Sequence, residues 1–259
     1  MKVHTLLKLL FWLLIIYLGL HLYALIFADK QMFFPPPPGY KDSPNILKIK
    51  VADKAIIAAI YLPNTKAKYT ILLSHGNAED IGYMLPFLTE FNKHGFAIFA
   101  YDYQGYGLST GTPTEKHCYQ DVAAAYNYLT NTLKVPANRI IGYGNSIGAA
   151  VTIDLATKRP LAGVIAQSPF ISAFRVVTHI PLLLFDKFNN LAKIGHIYCP
   201  LLIIHGTKDW IVPIWHGKKL FQHAKQPKYH LWIKNAGHND LISVAGGKYW
   251  QALQKFVNN

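Results

Sequence analysis

From about residue 69 onward, short and almost wholly apolar runs alternate with longer stretches that mix apolar and polar positions. The apolar runs are residues 69–74 (YTILLS), 96–101, 139–143, 163–167, 201–205 and 229–233. Continuous runs of this length are expected of strands covered on both faces. Between them lie segments with helical patterning: 81–94, 115–133, the stretch after Ser146, 215–223, and a last one reaching 257. Two β-rich runs come first, 46–51 and 55–62, and suit an antiparallel start to the sheet. Strand–helix alternation of this kind predicts an α/β architecture, a mostly parallel sheet with helices on both faces.

The amino-terminal pattern is different. Residues 9–27 are apolar apart from His21. At 1.5 Å per residue such a helix spans about the 30 Å hydrocarbon core of a bilayer. Lys2 and Lys8 would also serve a cleaved signal peptide, but the run exceeds the usual apolar stretch of about 7–15 residues and no clean Ala-x-Ala follows. The reading is an uncleaved membrane anchor over residues 1–28, with a buried core helix as a further alternative because nearly every face is apolar. Lys2, Lys8 and the terminal amine favour a cytoplasmic tail. The body would then lie on the non-cytoplasmic side, although Lys30 and Lys41 pull the other way. Residues 29–44 contain FFPPPPGY, expected to be a stiff spacer that holds the body off the membrane. A ligand for a proline-recognition domain is the other reading. The globular body is placed at 45–259.

Composition narrows the class. Of 259 residues, 51% are hydrophobic and 14% aromatic, enough for a large core and against disorder. The formal net charge is +13, but the lysines are scattered and no nucleic-acid motif is present. Attraction to an anionic membrane surface is the functional reading of that charge, and a well-solvated surface the plain one. Cys118 and Cys199 form no zinc pattern or disulfide framework and are expected as small buried hydrophobes. The 12 histidines show no ligand pair at zinc spacing on one helix, so no metal and no cofactor are expected.

The candidate chemistry lies where apolar runs end. Gly144-Asn145-Ser146-Ile147-Gly148 joins a predicted strand to a predicted helix. A serine hydroxyl is a poor nucleophile until a base takes its proton, and a sharp turn between strand and helix would hold it clear of the sheet. After the strand at 69–74 comes His75-Gly76-Asn77-Ala78. Here the Asn77 amide, with that of Ile147, could form an oxyanion hole. Asn77 capping the next helix is the plainer reading. His75 precedes the serine and is a poor candidate base. The glycine-rich loop 102–109 lacks phosphate-loop spacing and reads as structural. Asp209 follows the strand at 201–205, and His238 follows the strand at 229–233. Each alone reads as a surface residue, but the chain order Ser146, Asp209, His238, each just past a strand, suits a nucleophile, an orienting carboxylate and a base. Asp186 also lies in the right interval, but no strand precedes it.

At this point SHGNAED, YDYQGYGLSTGTPTE, YGNSIG, LLIIHGTKD and AGHND resemble the α/β-hydrolase superfamily over residues 45 to 257. They resemble in particular a membrane-associated group that includes protein depalmitoylating thioesterases and bacterial anchored hydrolases similar to serine aminopeptidases. The eukaryotic depalmitoylases attach through an acylated cysteine cluster, whereas this chain has no cysteine before Cys118 and has an apolar helix instead. The resemblance implies a membrane-anchored serine hydrolase that cleaves acyl esters or thioesters. The alternatives are a peptidase or amidase on the same triad, or a catalytically silent scaffold. In this fold a cap insertion often covers the site, here near 169–199. Its apolar run, with Leu183, Leu184 and Phe185, would line an acyl-binding groove, unless it is a short helix packed on the core.

Overall fold

The computed structural model describes residues 2–52 and 54–258. Its frame is one eight-stranded sheet in the order β1-β2-β4-β3-β5-β6-β7-β8. The strands are β1 (Leu47–Lys50), β2 (Ile56–Leu62), β3 (Thr70–Ser74), β4 (Ala97–Tyr101), β5 (Ile140–Asn145), β6 (Gly163–Gln167), β7 (Leu201–Gly206) and β8 (Lys228–Ile233). β1 and β2 pair antiparallel, as does β2 with β4, and all later pairs are parallel. The expected strands are all present, with ends within about two residues of the sequence reading.

The period of two along each strand explains why the central strands are apolar throughout. On β3, Ile71 and Leu73 face one core and Leu72 the other; on β6, Ile165 faces the first and Val164 and Ala166 the second. The first core is closed by α2 (Ile81–Lys93), α8 (Leu241–Ala245) and α9 (Gly247–Asn258), through residues such as Leu88, Leu253 and Phe256. The second is closed by α3 (Glu115–Asn127), α4 (Ile147–Lys158), α6 (Asn190–Ile194) and α7 (Trp215–His223). The helix expected over 115–133 gives way after Asn127 to a π turn, Tyr128–Thr132. Between β6 and β7 the chain forms α5 (Ala173–Thr178), an irregular stretch and α6. This stretch, called the cap segment below, covers the residues expected to cap the site.

Two findings at the amino terminus change the picture. First, α1 (Lys2–Met32) is one helix, longer than the expected 1–28. Its apolar part has a mean hydropathy of 2.3 and is not buried, yet its last turns present His21, Ala24, Ala28, Asp29 and Met32 to the body. Second, the proline-rich stretch does not stand off as a spacer. Phe33 is buried, the Gly39 amide donates to Asp80 Oδ2 at 2.6 Å, the Tyr83 hydroxyl donates to the Pro37 carbonyl at 3.3 Å, and the Tyr40 hydroxyl donates to Asp102. A rigid extended chain loses little entropy when it lies against a surface, so these contacts suffice to dock it.

Candidate active site

The sheet's carboxyl edge gathers the loops that carry the candidate residues. Ser146 sits between β5 and α4 at φ 55°, ψ −113°. A non-glycine residue held there costs about 1–3 kcal/mol and persists only where its surroundings enforce it. The enforcement is visible. The Ser146 amide donates to the Gln167 carbonyl at 2.8 Å. A methyl group on Gly148 would collide with the Ser74 carbonyl oxygen and stand 2.6 Å from that of His75. The glycine therefore lets α4 press against the β3 end. Beneath the turn, the hydroxyls of Tyr143 and Tyr249 donate to Gln167 Oε1 at 2.9 and 2.8 Å, and Gln167 Nε2 donates to Asn145 Oδ1 at 3.2 Å.

His238 and Asp209 meet across two loops. His238 Nδ1 donates to Asp209 Oδ2 at 2.7 Å. The other carboxylate oxygen accepts the Ile211 and Val212 amides at 3.0 and 2.8 Å. Burial would raise the Asp209 pKa, but the hydrogen bonds of His205 and His238, the His238 charge and the Val212 amide outweigh it and hold it well below the usual carboxylate range. His205 Nε2 lies 2.7 Å from the Val212 carbonyl and 3.4 Å from Asp209 Oδ2. Asp186 is elsewhere. It accepts from Ser172 Oγ (2.7 Å), the Phe174 amide (2.9 Å) and the Lys187 amide (2.8 Å), and so braces the start of the cap segment.

Ser146, Ile147, His238, Asn77 and Leu183 all line one cavity of about 800 Å³. Asn77 is not a helix cap; Asp80 is, accepting the Gly82 and Tyr83 amides through Oδ1. Instead the Asn77 side chain is clamped. Its Oδ1 accepts the Tyr106 hydroxyl (2.6 Å) and the Phe34 amide (3.0 Å), and its Nδ2 donates to the Met32 carbonyl (2.7 Å). The loop 102–109 thus steadies Asn77 from behind. His75 does not reach the cavity. It is buried beneath Tyr103 and Tyr106, with Nδ1 2.7 Å from the Gly76 carbonyl, and burial lowers its pKa to about 4.

Two of the three residues expected in the groove are displaced from it. Leu184 is 87% exposed, and Phe185 packs against Phe174 with ring centroids 5.5 Å apart. The cap segment is irregular here, so consecutive apolar residues point in different directions, and Leu182 joins Leu183 in the lining. Two features of the site escaped the sequence reading. Glu79 lines the cavity and accepts the Gly76 amide at 2.9 Å. Burial raises its pKa, opposed by the Gly76 amide, the His238 charge and Asn145. Its place in SHGNAED, just past a strand, was the available signal. The other feature is α1, whose Leu20, Tyr23, Ala24, Ala28, Gln31 and Met32 form a wall of the same cavity.

A mostly parallel sheet with an antiparallel start, and a strained serine between its central strand and the following helix, define an α/β hydrolase. Comparison with known proteins agrees. The family model described as "Serine aminopeptidase, S33" matches residues 65–196. The human alpha/beta hydrolase domain-containing protein 17B is 42% identical over 89% of this chain and 90% of its own length. The Caenorhabditis elegans alpha/beta hydrolase domain-containing protein aho-3 is 38% identical over 89% of this chain and 77% of its own length. Among solved structures, the Pyrococcus furiosus esterase Pf2001 superposes with a TM-score of 0.74 at 20% identity, covering 88% of this chain and 97% of that one. The chain belongs to the α/β-hydrolase domain-containing family and is a hydrolase of the serine type.

Proposed function

We propose that this protein is a membrane-anchored serine hydrolase that cleaves acyl esters or thioesters, with Ser146 as nucleophile, His238 as base and Asp209 as its orienting carboxylate. The observation that carries the reading is the 2.7 Å His238–Asp209 hydrogen bond beside a strained Ser146 on one largely apolar cavity. His238 takes the Ser146 proton as the hydroxyl attacks the acyl carbonyl, then gives it to the leaving alcohol or thiol. Asp209 keeps the Nδ1 proton in place and stabilises the cationic ring. The amides of Asn77 and Ile147 receive the developing oxyanion. Water, activated by His238, then releases the acid. Leu182, Leu183 and the α1 wall receive the acyl chain, and the apolar length of α1 anchors the enzyme in the bilayer.

The test is a fluorophosphonate probe on the full chain in membranes, combined with a homologous series of acyl esters and thioesters. Ser146→Ala should abolish labelling and lower kcat by up to about 10⁶. For wild type, each added methylene buried in the cavity should raise kcat/KM about fourfold until the cavity is full. Labelling retained in Ser146→Ala, or a preference for acetyl esters or matched amides, would refute the reading.

A further inference from the structure

The cap segment meets α1 well inside the part of the helix that is apolar enough to cross a bilayer. The Leu184 amide donates to His21 Nε2 at 3.0 Å, and the Phe185 ring lies 6.2 Å from the His21 ring. Because Nε2 accepts, the neutral ring carries its proton on Nδ1, which donates to the Tyr17 carbonyl at 3.0 Å. His21 is six positions before Phe27, the end of the apolar run, so at 1.5 Å per residue this contact lies about 9 Å in from that end. If residues 9–27 fill the hydrocarbon core, Leu184 is held at the depth of the acyl chains. A polar ring and a backbone amide at that depth each need a partner, and each supplies the other's.

The residues around this contact suit that depth. Residues 176–185 (VVTHIPLLLF) contain no Asp, Glu, Lys or Arg, although the whole chain is strongly basic. Val177, Ile180 and Leu184 are 81%, 59% and 87% exposed. Several large exposed apolar side chains in one short segment mark an interaction surface, unlike scattered single ones. Charges reappear at the flanks. Arg175 and Asp186 pair at 3.4 Å, and Lys187 pairs with Asp29 at 2.9 Å. Asp29 is two residues past the apolar run, which in a spanning α1 is headgroup level, where ion pairs and lysines are tolerated.

We propose that residues 177–184 are immersed in the bilayer beside α1, latched to it through His21, and that acyl chains enter the catalytic cavity sideways from the lipid between the two. The cavity wall supports the route: Leu20, Tyr23, Ala24 and Ala28 of α1 line it together with Val177, Leu182 and Leu183 of the cap segment. The occupant of the exposed face is therefore lipid, reached by continuity with the anchoring helix. This proposal rests on the reading of α1 as a membrane anchor, and its test separates the two.

Full-length protein carrying Cys199→Ser, with Cys118 buried, is given one cysteine at a time through Leu184→Cys, Leu14→Cys or Lys50→Cys, and a nitrobenzoxadiazole label is attached. The labelled proteins are placed in phosphatidylcholine–phosphatidylglycerol vesicles and quenched by acyl-chain spin labels or by aqueous iodide. Position 184 should be quenched by the spin labels within about twofold of position 14, and by iodide about fivefold less than position 50. If 184 behaves like 50 while 14 sits in lipid, the anchor stands and the immersion proposal is wrong. If both 14 and 184 behave like 50, the anchor reading itself fails. Protection of 184 from both quenchers would mean that protein covers this face, and would also overturn the proposal. An independent arm uses Ile180→Asp, which is outside the cavity lining. It should lower kcat/KM about tenfold for a long-chain ester embedded in vesicles and leave a short soluble ester within about twofold. Equal losses on both substrates would contradict lateral entry.

Discussion

Replacing Asp209 with asparagine changes a single atom and has a consequence that the geometry makes specific. Asp209 Oδ1 accepts two backbone amides, from Ile211 and Val212, while Oδ2 accepts from His238. An asparagine there has one oxygen and one NH2 group. Turning the NH2 group toward Ile211 and Val212 would set donor against two donors, at a cost of about 1–3 kcal/mol for each amide left unpaired. The side chain therefore keeps its oxygen on the loop and presents its NH2 group to His238. Nδ1 must then accept, so the ring proton moves to Nε2, the nitrogen that takes the proton from Ser146 in the proposed mechanism. The base is held in the wrong tautomer. A change of this kind is expected to lower kcat about 10⁴-fold, or about 5 kcal/mol of transition-state stabilisation. Folding should be nearly normal, because the loop hydrogen bonds survive. Asp186→Asn is the matched control. It weakens the bracing of the Phe174 and Lys187 amides, a stability cost of about 1 kcal/mol, and should leave kcat within a few-fold. The assay is pre-steady-state acyl-ester turnover by folded protein, checked by circular dichroism. A reversed ranking, or an Asp209→Asn enzyme that keeps about a tenth of wild-type kcat, would refute the assigned orientation.

Two further outcomes follow from packing and titration. Gly148→Ala should destabilise the domain by about 3 kcal/mol or more, because the new methyl meets backbone carbonyls of Ser74 and His75 that no rotamer can clear, whereas Gly247→Ala, in open space at the start of α9, should shift stability by at most about 1 kcal/mol. Denaturant unfolding of both variants in detergent checks the ranking, and equal effects would contradict it. His216 is buried, accepts the Ile171 amide at 3.2 Å and stacks on Trp215; burial above all brings its pKa down to about 4. The unfolded chain therefore binds a proton that the folded one resists, and stability should fall as pH drops from about 6.5 toward 4, by on the order of 3 kcal/mol from this group. In His216→Gln the acid-induced fall between about pH 7 and pH 4.5 should shrink by on the order of 2 kcal/mol, and an unchanged fall would show that the ring is not held neutral.

What the sequence determined by itself was local. A buried parallel strand announces itself by continuous apolar character, and the strand–turn–helix around Ser146 by its two glycines, because both patterns arise from neighbours within a few residues. The loops carrying Asp209 and His238 followed from the same logic, since a residue just past a strand must lie at the sheet's carboxyl edge. Other relationships join residues far apart in the chain and leave no local period. A helix run apolar on nearly every face does not say what will pack against it, so only the tertiary structure brought His21 to Leu184 and made Leu20, Tyr23 and Ala28 a wall of the cavity. The prolines signalled rigidity, but not the docking of Phe33 or the clamp of Met32 and Phe34 on Asn77. Within the cap segment, Leu183 and Leu184 are the same residue type side by side. One faces the cavity and the other is exposed because an irregular backbone has no fixed repeat, and its path is decided by anchors such as Asp186, Glu115 and His21. Side-chain chemistry and local periodicity specify which groups can react, whereas contacts across long loops decide what surrounds them and from which side a substrate arrives.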